Sequence, residues 1–138
     1  MTIKFKKNEP FVEGVSLLKI TSKIETPFYI YSQKKIKDAY KKIKKNINAE
    51  IFYAIKANSN QAIISILKNL GAGADVVSLG ELKRALTAGI SANKIIFEGV
   101  GKSEKDLKFA IKKGIRQINI ESINELELID SISKSLNI

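Results

Sequence analysis

Short apolar runs alternate with amphipathic helical patterns from Thr26 to the last residue, and the runs begin every 20 to 24 residues. This alternation is typical of successive β-α units and predicts an α/β fold with a parallel sheet. The predicted strands are 28–31, 50–55, 74–77, 94–97 and 117–120. We therefore divide the chain into a lead-in segment, 1–25, and one α/β domain, 26–138.

Serine and glycine residues mark the predicted ends of the intervening helices. Three serines are followed three residues later by an acid, which is the spacing of a helix capping box. These pairs are Ser78 with Glu81, Ser103 with Asp106, and Ser122 with Glu125. Helical patterns are followed by Gly71, Gly89 and Gly114, where a left-handed residue would close each helix. The last helical pattern covers 123–136.

The lead-in segment carries weaker signals. Residues 8–11 are expected to be irregular, whereas Ser16 is expected to cap a short helix that continues to Lys23. The basic start of the chain is not followed by an apolar segment, and no apolar run approaches the roughly 20 residues of a membrane helix. We expect neither a secretory signal nor a membrane partner, and we expect a cytoplasmic location.

Two folds can be built from five β-α units. One is an open doubly wound sheet, and the other is the first part of an eight-unit TIM-type (β/α) barrel, which typically needs about 250 residues. The chain has 138 residues, so its length alone favours the open sheet. The motifs described below favour a partial TIM-type barrel instead, made of about the first five β-α units of eight.

The net charge of +10 first suggests a nucleic-acid or anionic membrane partner. However, 22 of the 24 basic residues are lysine, whereas base reading favours arginine. The densest run, 34–45, is interpreted as the solvated face of an amphipathic helix. Its apolar stripe consists of Ile36, Ala39, Tyr40, Ile43 and Ile47. No nucleic-acid partner is expected.

The chain contains neither cysteine nor histidine. Thiolate and imidazole metal ligands and the most common general base are therefore missing, and no metal site is predicted. Catalysis by this chain would use Lys, Asp, Glu, Tyr or Ser.

Gly-Lys-Ser at 101–103 invites comparison with phosphate-binding loops. A P-loop would need glycine in place of Ile96, and a dinucleotide fingerprint that starts at Gly99 would need glycine in place of Glu104. Both patterns fail. We expect a strand-to-helix loop in which the glycines permit a tight turn.

Lys56 directly follows the predicted strand 50–55. Strand alternation places it on one face with Phe52 and Ala54. Parallel sheets are covered on both faces, so Lys56 is expected to point into enclosed space, where the neutral amine that attacks an aldehyde is favoured. The alternative is that Lys56 lies past the strand and reaches water. Similarly, Asp75 in strand 74–77 either pairs with a cation or faces solvent.

Residues 53–60, Tyr-Ala-Ile-Lys-Ala-Asn-Ser-Asn, resemble the lysine segment of the alanine-racemase-like, fold type III decarboxylases that use pyridoxal 5'-phosphate (PLP). Other motifs follow the order seen in the diaminopimelate decarboxylases of this family. They are Glu-Gly-Val-Ser-Leu at 13–17, Thr-Pro-Phe-Tyr-Ile-Tyr-Ser at 26–32, Gly-Ala-Gly-Ala-Asp-Val-Val-Ser at 71–78, Gly-Glu-Leu at 80–82, Gly-Val-Gly-Lys at 99–102 and Asn-Ile-Glu-Ser at 119–122. Ornithine and arginine decarboxylases, which generally differ around Asp75, and alanine racemases are similar over fewer of these motifs.

The resemblance implies that Lys56 holds PLP through a Schiff base, with Ala54 packed beside the cofactor and Asp75 near the Schiff base. It implies decarboxylation of meso-diaminopimelate to L-lysine and carbon dioxide, a step of lysine biosynthesis. Family members are longer homodimers, with an eight-unit barrel and a β-rich domain. We therefore expect this chain to be an N-terminal fragment that is inactive alone.

One other class of function stays open on the sequence. A complete five-strand sheet of this size could act as a small PLP carrier or as a basic nucleic-acid adaptor. The resemblance also implies a histidine that stacks on the cofactor, a glycine-rich phosphate loop and an acid beside the pyridine nitrogen. None of these is matched in the sequence.

Overall fold

The computed structural model describes residues 3–138; Met1 and Thr2, which begin the predicted lead-in segment, lie outside the described residues. The chain opens with a three-stranded antiparallel sheet of β1 (Ile3–Lys6), β2 (Glu9–Val12) and β3 (Val15–Ser16), followed by α1 (Leu17–Thr21). The Ser16 hydroxyl accepts a hydrogen bond from the Lys19 N–H, which confirms the predicted cap.

The prediction that residues 8–11 are irregular is wrong, because most of this segment lies in β2. Pro10 lies opposite Phe5 of β1, and the short β3 pairs only with Phe11 and Val12. At Pro10 the strand therefore has one neighbour and one free edge, which is a position that tolerates proline.

The rest of the chain alternates helices and parallel strands. In order, the elements are α2 (Gln33–Asn46), β4 (Phe52–Ala54), α3 (Gln61–Asn69), β5 (Gly73–Val76), α4 (Leu79–Thr87), β6 (Ile95–Phe97), α5 (Glu104–Lys113), β7 (Gln117–Ile118) and α6 (Ile123–Leu136). Single 3-10 turns occupy Ile55–Ala57 and Ala92–Lys94. The four strands form one parallel sheet in the order β4-β5-β6-β7, which confirms the α/β fold class.

The predicted strand 28–31 is not formed within residues 3–138. The other four predicted strands are present, each within about two residues of its expected bounds. An extended segment becomes a strand only when its backbone pairs with a neighbour, and 28–31 pairs with none of the described strands. Tyr29 is accordingly 89% exposed.

The predicted helix ends are confirmed. Ser78, Ser103 and Ser122 each accept a hydrogen bond from the N–H three residues later. Asp106 completes a reciprocal capping box with Ser103. At the corresponding positions, Glu81 and Glu125 instead accept hydrogen bonds from the N–H groups of Val77 and Glu121, the residues just before the capping serines. Gly71, Gly89 and Gly114 have φ angles of 96°, 84° and 61°.

Helices α3, α4 and α5 cover one face of the parallel sheet. On this face Ala74 and Val76 of β5 and Ile95 and Phe97 of β6 are buried among apolar helix residues. The other face carries a row of residues that pair in register across all four strands, namely Ala54, Asp75, Ile96 and Gln117. These four side chains are half-buried or exposed.

Only part of the predicted apolar stripe of the lysine-rich helix α2 is buried. Tyr40 is buried, but Ile43 and Ile47 of the predicted apolar stripe are 52% and 41% exposed. Helix α2 packs against α3 and against Ile51 and Tyr53 at β4 on its Tyr40 side, and these contacts do not extend over Ile43 and Ile47. In the part of the chain that the structure describes, no helix is long and apolar enough to cross a membrane.

Candidate functional site

Four polar residues meet at the carboxyl edge of the parallel sheet. Lys56 follows β4, Asp75 lies within β5, Glu98 follows β6, and Asn119 follows β7. The carboxyl edge is where α/β folds place ligands and reacting groups, because neighbouring strands there bring side chains from separate units together.

Lys56 lies on a 3-10 turn rather than on the strand itself. Strand β4 ends at Ala54, and the turn that follows buries Ile55 completely in the core. Lys56 is consequently exposed, so the expected enclosure is not present among residues 3–138, and the alternative of an ammonium that reaches water describes this structure. Its ammonium makes no ion pair or hydrogen bond with any described residue.

Asp75 is held between two apolar neighbours. Its row places it directly beside Ala54 and Ile96, and its Oδ1 atom is buried without a hydrogen-bond donor among the described residues. Burial raises the pKa of Asp75, and the negative charge of Glu98 raises it further, while the positive charge of Lys56 opposes both effects. The site therefore contains an acceptor atom that lacks a partner and a free cation close enough to influence it.

Two glutamates that were not predicted as site residues lie close to Asp75. Glu98 follows Ile96 by two residues, so strand alternation places it on the face of Asp75, and its Oε1 accepts a hydrogen bond of 2.8 Å from the Asn119 amide. Glu81 lies in the first turn of α4, and its Oε2 accepts a 2.9 Å bond from the Val77 N–H. The position of Glu98 directly after β6 is the sequence signal that could have identified it.

The glycine-containing loop 99–102 is not arranged to bind phosphate. The Lys102 ammonium lies 2.8 Å from Glu125 Oε1 and donates a 2.5 Å hydrogen bond to the Gly99 carbonyl. Its side chain is 1% exposed. Gly99 and Gly101 have φ angles of 90° and 73°, so the prediction of a tight strand-to-helix turn is confirmed.

Residues 33–138 match the family model described as pyridoxal-dependent decarboxylase, pyridoxal binding domain. The chain belongs to this family. It is 51% identical over 117 residues to diaminopimelate decarboxylase of Helicobacter pylori J99, covering 83% of this chain and 29% of that protein. It is 42% identical over 135 residues to the diaminopimelate decarboxylase of Aquifex aeolicus, covering 97% of this chain and 32% of that protein.

Solved structures of the family superimpose closely on this chain. A crystal structure from Aquifex aeolicus matches with a TM-score of 0.93 and 41% identity, covering 98% of this chain and 34% of its own. A Helicobacter pylori diaminopimelate decarboxylase complexed with L-lysine matches with a TM-score of 0.84 and 44% identity, covering 88% and 32%. The chain thus spans about a third of the length of the relatives it matches.

The carboxyl edge fits the aldehyde end of PLP, the cofactor that this family binds. Attachment to an aldehyde needs a lysine that can release its proton, and no described residue holds the Lys56 ammonium through an ion pair or hydrogen bond. A positively charged group at the attachment point would complement the unpartnered Oδ1 of Asp75. Ala54, the neighbour of Asp75 in the row, adds little bulk beside this point.

Proposed function

We propose that this chain provides the cofactor-bearing part of a PLP-dependent decarboxylase that converts meso-diaminopimelate to L-lysine and carbon dioxide. The observation that carries the proposal is Lys56 close enough to act electrostatically on Asp75, whose Oδ1 has no hydrogen-bond partner among the described residues, at the carboxyl edge of a sheet in a PLP-binding family.

The roles of the residues follow from their positions. Lys56 would hold the cofactor by a covalent bond from its Nζ, and Ala54 would pack beside it without obstructing that bond. The Asp75 carboxylate would accept a hydrogen bond at the attachment point through Oδ1 and so orient it. When bound, PLP accepts the electron pair released as the substrate loses its carboxylate.

Glu98 and Glu81 would keep this edge of the sheet acidic. Both raise the pKa of Asp75, after burial, and Lys56 lowers it. A positive charge brought to the edge by a bound ligand would act like Lys56 and favour the ionised form of Asp75.

The strand order supports a partial TIM-type barrel, about the first five β-α units of eight, for 26–138. Each strand is added beside the previous one in the same direction, and right-handed connections then place the helices on one face. A doubly wound sheet would reverse this order at a switch point. Residues 1–25, with their own antiparallel sheet, would be a separate lead-in segment.

The relatives support diaminopimelate as the substrate. Curated relatives named diaminopimelate decarboxylase are 37–51% identical to this chain. A lysine decarboxylase of Selenomonas ruminantium and an arginine decarboxylase of Paramecium bursaria Chlorella virus are 28% and 26% identical. The homodimer, the cytoplasmic location and the lack of nucleic-acid and membrane partners stay predictions.

The proposal is tested on the full-length protein that contains this chain, loaded with PLP. Borohydride reduction followed by peptide mass spectrometry should place the PLP adduct on Lys56. Carbon dioxide release should be fastest from meso-diaminopimelate in a panel that includes ornithine, arginine and lysine.

Lys56→Arg, which keeps the charge but cannot form the bond, should lose both the adduct and turnover. Lys94→Arg, an exposed lysine at the opposite edge of the sheet, serves as the matched control. An adduct on another lysine would refute the role of Lys56, and faster turnover of ornithine or arginine would refute the substrate.

A further inference from the structure

Both arginines of this lysine-rich chain contact the region around β4, the strand that leads to Lys56. The Arg116 guanidinium lies 5.3 Å from the centre of the Phe52 ring, and it also pairs with Glu50, just before the strand. Arg84, on helix α4, donates a 3.1 Å hydrogen bond to the Ser59 carbonyl, three residues after Lys56.

The Arg84 contact is reciprocal. The Gln61 side-chain amide donates a 3.0 Å hydrogen bond to the backbone carbonyl of Arg84. Gln61 is the first residue of α3, and the Asn60 side chain caps this helix by accepting from the Ala62 N–H at 2.9 Å. Helix α4 and the start of α3 are therefore joined by two hydrogen bonds that run in opposite directions.

These bonds hold the backbone on which Lys56 is carried. On one side of Lys56, Ile55 is fully buried in the core. On the other side, the Tyr53 hydroxyl donates a 3.0 Å hydrogen bond to the Asn58 carbonyl, and Arg84 holds the next carbonyl, that of Ser59. Since no described residue bonds to the Lys56 ammonium, its position is set by this backbone rather than by contacts of its side chain.

We propose that Arg84 is a positioning residue that fixes the 3-10 turn of Lys56 by holding the Ser59 carbonyl from helix α4. The proposal rests on the proposed function, because it assigns Arg84 to the group that would bind the cofactor. Arginine suits this place because its guanidinium is planar and carries several donors, whereas an exposed lysine ammonium is more strongly hydrated.

The test uses the full-length, PLP-loaded protein with Arg84→Met, which keeps much of the stem and removes every donor. We expect the rate of covalent PLP attachment to Lys56 and kcat to fall by about 10- to 100-fold, as for small misplacements of a reacting group. The KM for substrate should stay within a factor of about three, because Arg84 acts on the turn and not on the substrate. Arg84→Lys, which restores one donor, should recover part of the rate.

Lys83→Met is the matched control, since it removes the same charge from the same turn of α4 and leaves the Ser59 carbonyl bonded. Should Arg84→Met fail to fold, Gln61→Ala removes the return hydrogen bond alone and should reduce attachment in the same direction. Attachment rates that are equal in the Arg84→Met and Lys83→Met proteins, or in the Gln61→Ala and parent proteins, would overturn the proposal.

A failure of the proposed function has a different signature. In that case the parent protein itself would form no PLP adduct at Lys56. If the parent forms the adduct and the Arg84 and Gln61 variants form it equally fast, only the role of Arg84 is lost.

Discussion

The buried ion pair between Lys102 and Glu125 allows a quantitative prediction about stability. Its Nζ and Oε1 atoms are 2.8 Å apart, and the two side chains are 1% and 10% exposed. At an effective dielectric constant of about 20, this distance corresponds to an attraction of about 6 kcal/mol, much of which offsets the cost of removing both charges from water. Removing one partner of such a pair typically costs about 3–5 kcal/mol, so we expect Lys102→Met to lower the free energy of unfolding by this amount.

The same pair predicts the pH dependence of the effect. Burial raises the pKa of Glu125, but hydrogen bonds from Lys102 and from the Glu121 N–H, together with the Lys102 charge, outweigh burial and lower the pKa below its ordinary value of 4.5. A carboxyl whose pKa is lowered on folding stabilises the fold above its unfolded pKa and loses that contribution as the pH falls through the folded pKa. The difference between the parent and Lys102→Met proteins should therefore shrink below pH 4.5.

Urea denaturation followed by far-ultraviolet circular dichroism measures these differences. Glu125→Gln keeps a side-chain acceptor for the Glu121 N–H, so the double variant Lys102→Met/Glu125→Gln should be more stable than Lys102→Met alone. The control is Lys134→Met, which breaks an exposed pair with Asp130 and should cost at most about 0.5 kcal/mol. If Lys102→Met costs no more than Lys134→Met, or if its cost does not change with pH, the reasoning about the buried pair is wrong.

Two further predictions also concern stability. Gly73→Ala should destabilise the fold by about 1–3 kcal/mol in the same assay, because its Cβ would lie 2.5 Å from a ring carbon of Phe52 and 2.6 Å from the Lys94 carbonyl oxygen. Gly80→Ala, on helix α4, would make only an ordinary contact with the Ser78 hydroxyl and should stabilise the fold by up to about 1 kcal/mol. A neutral effect of Gly73→Ala would show that both the Phe52 ring and the backbone at Lys94 can move. Asp75→Asn should gain stability relative to the parent as the pH rises from 3.8 towards neutral, because a carboxyl pKa that burial raises costs stability once the group ionises. Urea unfolding at a series of pH values measures this difference, and a flat profile for Asp75→Asn would refute the burial argument.

The features predicted well from sequence are those determined by residues close together in the chain. The Ser103–Asp106 capping box and the left-handed Gly114 depend on contacts within a few residues, and both are present in the structure. The segment 28–31 has the composition of a strand but does not pair with the described sheet. Strand formation depends on tertiary pairing, which a local pattern does not contain.

The candidate site was predicted in part for the same reason. Lys56 stands out in the sequence at the end of an apolar run and Asp75 inside one, the family resemblance gives both a role, and the structure places both at the carboxyl edge of the sheet. The sequence left two environments open for Lys56, enclosed or exposed, because the outcome depends on where β4 ends: at Ala54 the backbone turns and buries Ile55 in the position that simple alternation would give to its neighbour. The orphaned oxygen of Asp75 depends on which residues flank it across the sheet, and no local pattern specifies them.

The separate motifs of the sequence become physical partners in the structure. The lysine of 99–102 pairs with Glu125, which is itself bonded to the N–H of Glu121 in the motif 119–122. Likewise, Arg84, just after the motif 80–82, holds the carbonyl of Ser59 in the lysine segment. Each contact joins one β-α unit to the next, so a change in one motif would leave an unpaired group in its neighbour. The order of the motifs along the chain therefore corresponds to contacts between neighbouring β-α units in the fold.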